Sequence, residues 1–230
     1  MTDPHELSTG KSAEIDAFLK EVRGLAPVGE GRGRLIFALD ATMSRQPTWD
    51  LAQSIQGQMF AATRTQGALE VQLVYFRGAG ECRASRFMSG GAVLQSAMAR
   101  IDCREGRTQI AKVLRHARAE SATKPVGALV FIGDACEESP IELSRLAGEL
   151  GLLGVKAFMF QEGWDLVARL AFREVARVTG GAYATFDRSA PQRLAELLAA
   201  VAAYAVGGVK ELERRAREGE AAAQLLLSQL

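Results

Sequence analysis

Short apolar runs alternate with amphipathic stretches along most of this chain, and each bounded run reads as a strand, each stretch of helical spacing as a helix. The first apolar run, Arg34-Leu35-Ile36-Phe37-Ala38-Leu39, ends abruptly at Asp40, as expected of a strand buried on both faces. A helix is expected from about Thr48 to Ala62. A second strand follows over Leu69 to Arg77, rich in β-branched and aromatic residues. Gly78-Ala79-Gly80 then turns the chain into Cys82 to Met88, an antiparallel hairpin at one sheet edge. Helices over Ala92–Arg100 and Gln109–Glu120 lead to the strand Ala128–Ile132. A helix over Ile141–Leu150, the strand Val155–Phe160 and a helix over Asp165–Val178 come next, the last stopping at Gly180-Gly181. Ala182–Phe186 forms a short strand, and Pro191–Val206 an alanine-rich helix. Strands separated by helices predict an α/β domain with a mostly parallel sheet covered on both faces.

Two extensions flank this domain of residues 34 to 206. In residues 1 to 33, Ser12 is placed to cap a short amphipathic helix bearing Ile15, Phe18, Leu19 and Val22, before a glycine-rich linker. In residues 207 to 230, Gly207-Gly208 precedes a charged helix and then a leucine-bearing one (Leu225, Leu226, Leu227, Leu230), read as folding back on the domain, with a partner or self-association helix as the alternative.

Composition narrows the function classes. The chain of 230 residues is 48% apolar and 24% charged, and 28 basic against 27 acidic residues leave a net charge of +1. That balance gives no footprint for nucleic acid or an anionic membrane. No secretory signal or membrane-length apolar run is apparent, and Cys82, Cys103 and Cys136 suggest no disulfide framework, so a cytoplasmic location is expected.

The chemistry concentrates where strands end. Asp40 is followed by Thr42 and Ser44, three hard oxygen donors at alternate positions. Phe131-Ile132-Gly133-Asp134 is a second buried strand ending in aspartate, and Thr108 precedes the helix that feeds it. In an open α/β sheet these positions share the carboxyl-end rim, where ligands bind. Two carboxylates and neutral hydroxyls suit Mg²⁺ or Mn²⁺ and leave positions for exchangeable water. Either aspartate alone reads as a helix N-cap.

The set Asp40-x-Thr42-x-Ser44, Thr108 and Asp134 resembles the metal-ion-dependent adhesion site (MIDAS) of von Willebrand factor type A (VWA) domains, the family of integrin inserted domains. The usual first motif there is Asp-x-Ser-x-Ser, and Thr42 retains the hydroxyl. The resemblance covers roughly residues 34 to 206. It implies a three-layer, Rossmann-like fold with one antiparallel edge strand, and a non-enzymatic, Mg²⁺- or Mn²⁺-dependent protein-binding module. It further implies that those five residues hold the metal and that a partner's aspartate or glutamate completes its coordination; in stand-alone members the partner is often an assembly factor, including AAA+ ATPases. Arg45, Trp49, Arg107 and Glu137 flank the motif loops as candidates for contact with that partner, although Trp49 reads equally as buried and Glu137 as part of an acidic helix turn.

The enzymatic rival is a haloacid-dehalogenase-like phosphatase, echoed by Asp40, by Lys124 and by Gly133-Asp134-x-x-x-Glu138. Such enzymes need a second carboxylate two residues after the nucleophile as general acid, and Thr42 occupies that position. Gly29-x-Gly31-x-Gly33 precedes its strand instead of following it, which excludes a dinucleotide loop. His5 and His116 support no nucleophilic triad, and Cys103 and Cys136 read as small buried hydrophobes near the rim.

Overall fold

A computed structural model describes residues 33 to 63, 68 to 187 and 189 to 230; the amphipathic helix read at Ser12 to Val22 lies outside them. Strand β1 (Gly33–Asp40) is followed by a short 3-10 turn, Met43–Arg45, and helices α1 (Gln46–Ile55) and α2 (Gly57–Ala61). Next come β2 (Leu69–Arg77), β3 (Glu81–Met88), α3 (Gly91–Met98), α4 (Ile110–Thr123), β4 (Ala128–Gly133) and α5 (Pro140–Leu152). The chain ends with β5 (Lys156–Glu162), α6 (Leu166–Thr179), β6 (Ala182–Phe186), α7 (Pro191–Arg217) and α8 (Ala221–Leu227).

The sheet order is β3-β2-β1-β4-β5-β6, parallel except for β3, which pairs antiparallel with β2. Strand alternation divides the core into two layers. Leu35, Phe37, Leu39, Val130, Ile132, Phe158 and Phe160 face the layer containing α1, α7 and α8. Ile36, Ala38, Leu129, Phe131, Ala157 and Met159 face α4, α5 and α6. β1 is therefore continuous in apolar residues because both of its faces are covered, as its run predicts. Phe131 lies at the centre of the second layer, stacked on Phe76 (5.9 Å between centroids) and edge-on to Phe172 (5.3 Å).

The expected helix from Thr48 to Ala62 is two helices meeting at Gln56, whose side chain is buried and donates to Gly91 O at 3.0 Å. The long C-terminal helix breaks at Gly208, where φ is +64°, a conformation other residues rarely adopt. Beyond the break Leu212, Ala222, Ala223 and Leu226 are buried in the first core layer, so the C-terminal segment folds back onto the domain. Edge strand β6 is blunted: Gln229 accepts from Tyr183 N at 2.9 Å and donates to Tyr183 O at 3.0 Å. Among the described residues no helix is long and apolar enough to cross a membrane.

Truncating Phe131 to alanine removes both ring contacts and leaves a cavity in a fully buried layer, a change that costs about 3–5 kcal/mol. Urea denaturation should show that loss with an unchanged slope; a loss below about 1 kcal/mol would contradict this description of the core.

Candidate metal-binding site

β1 is flanked by β2 on one side and by β4 on the other, and the chain crosses from the first side to the second after β3. That makes the carboxyl end of the β1–β4 pair a topological switch point, where a crevice opens. Leu39 is in register with Ile132, so Asp40 and Asp134 leave the sheet side by side.

The β1 loop folds around its aspartate. Thr42 N donates to Asp40 Oδ1 at 2.8 Å, and the Thr42 hydroxyl also bonds that carboxylate. The turn that follows brings Ser44 Oγ to 3.5 Å from Thr42 Oγ1. The segment carrying Thr108 is laid against this loop and the β2–β3 turn: Arg104 N donates to Ala41 O at 3.0 Å, and Arg107 N to Gly78 O at 3.3 Å. Gly106 permits the second contact, because a Cβ there would lie 2.3 Å from Gly78 N. Thr108 Oγ1 accepts from Glu137 N at 3.1 Å, which fixes it to the loop following Asp134. The structure thus gathers the five motif residues on one rim. Asp40 and Thr42 are buried, Thr108 and Asp134 partly so, and Ser44 is exposed.

The electrostatics of the rim centre on Arg45, which is only 3% exposed. Its Nη1 lies 3.2 Å from Asp134 Oδ2 and its Nη2 2.5 Å from Glu162 Oε2. Glu162, at the end of β5, also accepts from the Thr48 hydroxyl in α1. Asp40 has no such direct ion pair: burial pushes its carboxyl up to about 6, against the opposing pull of its Thr42 hydrogen bonds and the Arg45 charge. Asp40, Asp134 and Glu162 therefore face a single guanidinium, a formal excess of two negative charges when all are ionised.

Two expectations for partner contact are corrected here. Arg45 does not read a partner's surface, because its guanidinium is consumed by internal carboxylates. Trp49 is 1% exposed, donates from Nε1 to Met98 O at 3.3 Å and packs edge-on to Tyr75; the apolar face of α1 carries it inward. Arg107 and Glu137 are exposed beside the rim. Glu162 was missed by sequence reasoning, which ended its strand at Phe160; the polar pair Gln161-Glu162 closing an apolar run was the available signal.

The phosphatase echoes fall elsewhere. Lys124 Nζ lies 3.7 Å from Glu70, and its carbonyl accepts from Arg34, at the amino end of the strands and opposite Asp40. Glu138 caps α4 by accepting from Ile110 N and Ala111 N. Cys103 is buried near Asp40, and burial pushes its thiol up to about 11, which disfavours the thiolate.

Among the described residues no group of three or more His, Cys, Asp or Glu is placed to hold a metal ion. A cation here would rest on two carboxylates supplemented by hydroxyls, and that all-oxygen set suits a hard ion. The 3.5 Å between the Thr42 and Ser44 oxygens is close to the about 3 Å separating adjacent ligands of an octahedral Mg²⁺. The excess negative charge and the buried, unpaired Asp40 fit a divalent cation.

The charge imbalance predicts opposite signs for two substitutions in chelator. Asp40 binds its proton more tightly when folded, so between pH about 4 and 6 the unfolded chain ionises first and wild-type stability falls as pH rises. Asp40→Asn escapes that penalty and should be more stable than wild type by about 1–3 kcal/mol at pH 7.5, with no gain below pH about 4. Arg45→Met strands two carboxylates and should cost about 3–5 kcal/mol. Denaturant titrations at both pH values check this; a less stable Asp40→Asn at pH 7.5, or a neutral Arg45→Met, would contradict it.

No family model matches the sequence, and no curated protein matches it significantly. Solved structures do resemble the fold. A von Willebrand factor type A protein from Catenulispora acidiphila superposes with a TM-score of 0.63 at 17% identity, over 77% of this chain and 43% of that one. Proximal thread matrix protein 1 from the mussel byssus, solved with a zinc-occupied MIDAS motif, gives 0.60 at 17% identity over 74% and 45%. The SpRpn10 VWA domain gives 0.54 at 14% identity over 71% and 95%. This chain thus spans less than half the length of the first two and nearly all of the third. Strand order, the antiparallel β3 edge and the flanking helices agree with these likenesses: the chain has the three-layer, Rossmann-like von Willebrand factor type A fold.

Proposed function

We propose that this chain is a divalent-cation-dependent protein-binding module whose ion is held by Asp40, Thr42, Ser44, Thr108 and Asp134. The observation that carries this reading is the buried, negatively charged rim at the β1–β4 switch point, where Asp40 lacks a cation of its own. The zinc-occupied motif in the mussel protein of the same fold supports an ion at this edge.

Within this reading each side chain has a distinct task. Asp40 and Asp134 supply the charge, and the hydroxyls of Thr42, Ser44 and Thr108 supply neutral oxygens. Arg45 orients Asp134 by engaging Oδ2, Glu162 holds Arg45 in turn, and Thr48 donates to Glu162. The oxygen donors favour Mg²⁺ or Mn²⁺ over softer ions. When bound, the ion would offer an exchangeable position to an aspartate or glutamate of a protein partner. Ser44 and Met43, both exposed on the loop, and Arg107 and Glu137 beside it are the residues such a partner would meet. A phosphoryl-transfer role finds no support, since Thr42 replaces the required acid and Lys124 sits at the opposite edge.

Calorimetry with Mg²⁺ and Mn²⁺ tests the proposal. Wild type should bind one ion, Asp40→Ala none, and Ser44→Ala about tenfold more weakly. Absence of binding to wild type, or equal heats from wild type and Asp40→Ala, would overturn it. Metal-dependent turnover of a phosphate ester abolished by Asp40→Asn would replace it with the enzyme reading.

A further inference from the structure

Most exposed large apolar side chains of this domain are scattered, but one group is concentrated just past β5. Trp164 (74% exposed), Leu166 (66%), Val167 (54%) and Leu170 (71%) all fall within the β5–α6 loop and the first turns of α6. The opposite face of α6, formed by Ala168, Ala171, Phe172 and Val175, is buried in the core. The helix is therefore apolar on two sides, while a surface helix needs only one apolar face for folding. Such a patch marks an interaction surface more often than chance.

Its charge says what it would accept. Arg169 and Arg173 are one turn apart, at i and i+4, on the row beside Leu166 and Leu170. Arg169 leans over Trp164 (5.9 Å to the ring centroid) and Arg173 over Tyr183 (5.4 Å). With Thr185 these residues line a recess of about 210 Å³ beside β6, enough for one side chain. No carboxylate of the described residues pairs with either arginine. The nearby acids are engaged elsewhere: Asp165 caps α6 by accepting from Ala168 N at 2.6 Å, Glu174 pairs with Arg177 at 2.8 Å, and Glu162 is held by Arg45. Tyr183 OH donates to Gln161 at 2.6 Å, which fixes the floor of the recess.

We propose that this surface docks an acidic, apolar segment of a protein partner. One carboxylate enters the recess between Arg169 and Arg173, forming charge-assisted hydrogen bonds to guanidinium groups already steadied over aromatic rings. Large apolar side chains of the same segment cover Trp164, Leu166 and Leu170. The surface requires no metal, and its docking stands apart from the rim reading.

Phage-displayed random peptides selected on the full chain supply the probes, and the selected sequences are then titrated as synthetic peptides. Trp164 reports binding directly, because the other tryptophan, Trp49, is buried. Selected peptides should combine Asp or Glu with Leu, Phe or Trp and shift Trp164 emission saturably with or without chelator. The double variant Arg169→Gln/Arg173→Gln, and separately Leu170→Ser, should weaken them by about tenfold or more. These side chains lie on the surface, so circular dichroism should show both variants folded as wild type. The proposal is overturned by failure to enrich any peptide, by a neutral or basic consensus, by undiminished binding to the double variant, or by loss of binding in chelator. A chain that sediments as a dimer dissociated by Leu170→Ser would assign the surface to a second copy instead. Binding to phosphatidylserine vesicles without peptide enrichment would assign it to a membrane; both outcomes also overturn the proposal.

Discussion

A single buried guanidinium holds the carboxyl-end rim of this domain's sheet together. Arg45 emerges from the β1 loop, turns inward, and is gripped by Asp134 from β4 and Glu162 from β5. Ion pairs of this kind gain little net stability, because desolvation offsets most of the Coulomb attraction. Their effect is geometric: removing one member leaves uncompensated charge, so the three loops are locked in one arrangement. Thr48 extends the lock to α1 by donating to Glu162, and Trp49 in the next position closes the core beneath it.

The lock also leaves the rim with an excess of negative charge, which suits a cation. Arg45 offsets one of three negative charges, and Asp40 stays buried, supported by its Thr42 hydrogen bonds and by the Arg45 charge without a direct ion pair. Burial pushes its carboxyl up to about 6, a cost that a bound ion would remove.

Much of this was legible in the chain. Strands β2 and β6 match their expected limits because glycines and a hairpin turn bound them, and β1 is announced by an apolar run closed by aspartate. The five oxygen-bearing residues of the rim were identifiable because strand ends in an alternating fold must share an edge. Arg45 was misread for a physical reason: an arginine in a polar loop normally stays solvated, and its burial is dictated by Glu162, a residue distant in sequence that only the fold brings near. Glu162 was overlooked in turn because a buried carboxylate makes sense only with its partner in view. The boundary between α1 and α2 falls at Gln56, followed by Gly57, and the tertiary hydrogen bond from the Gln56 side chain to Gly91 there could not be read from the sequence. The patch on α6 was hidden because Leu166, Val167 and Leu170 look like core positions until the opposite helical face proves to be the buried one.

Diffraction from crystals grown with Mn²⁺, with data collected at the manganese edge, locates the cation without reference to affinity or partner. One anomalous peak is predicted at the β1–β4 rim, within about 2.2 Å of oxygens from the Asp40–Ser44 loop, with Arg45 still paired to Glu162. A rim without a peak, or an ion bound away from Asp40 and Asp134, would contradict the assignment.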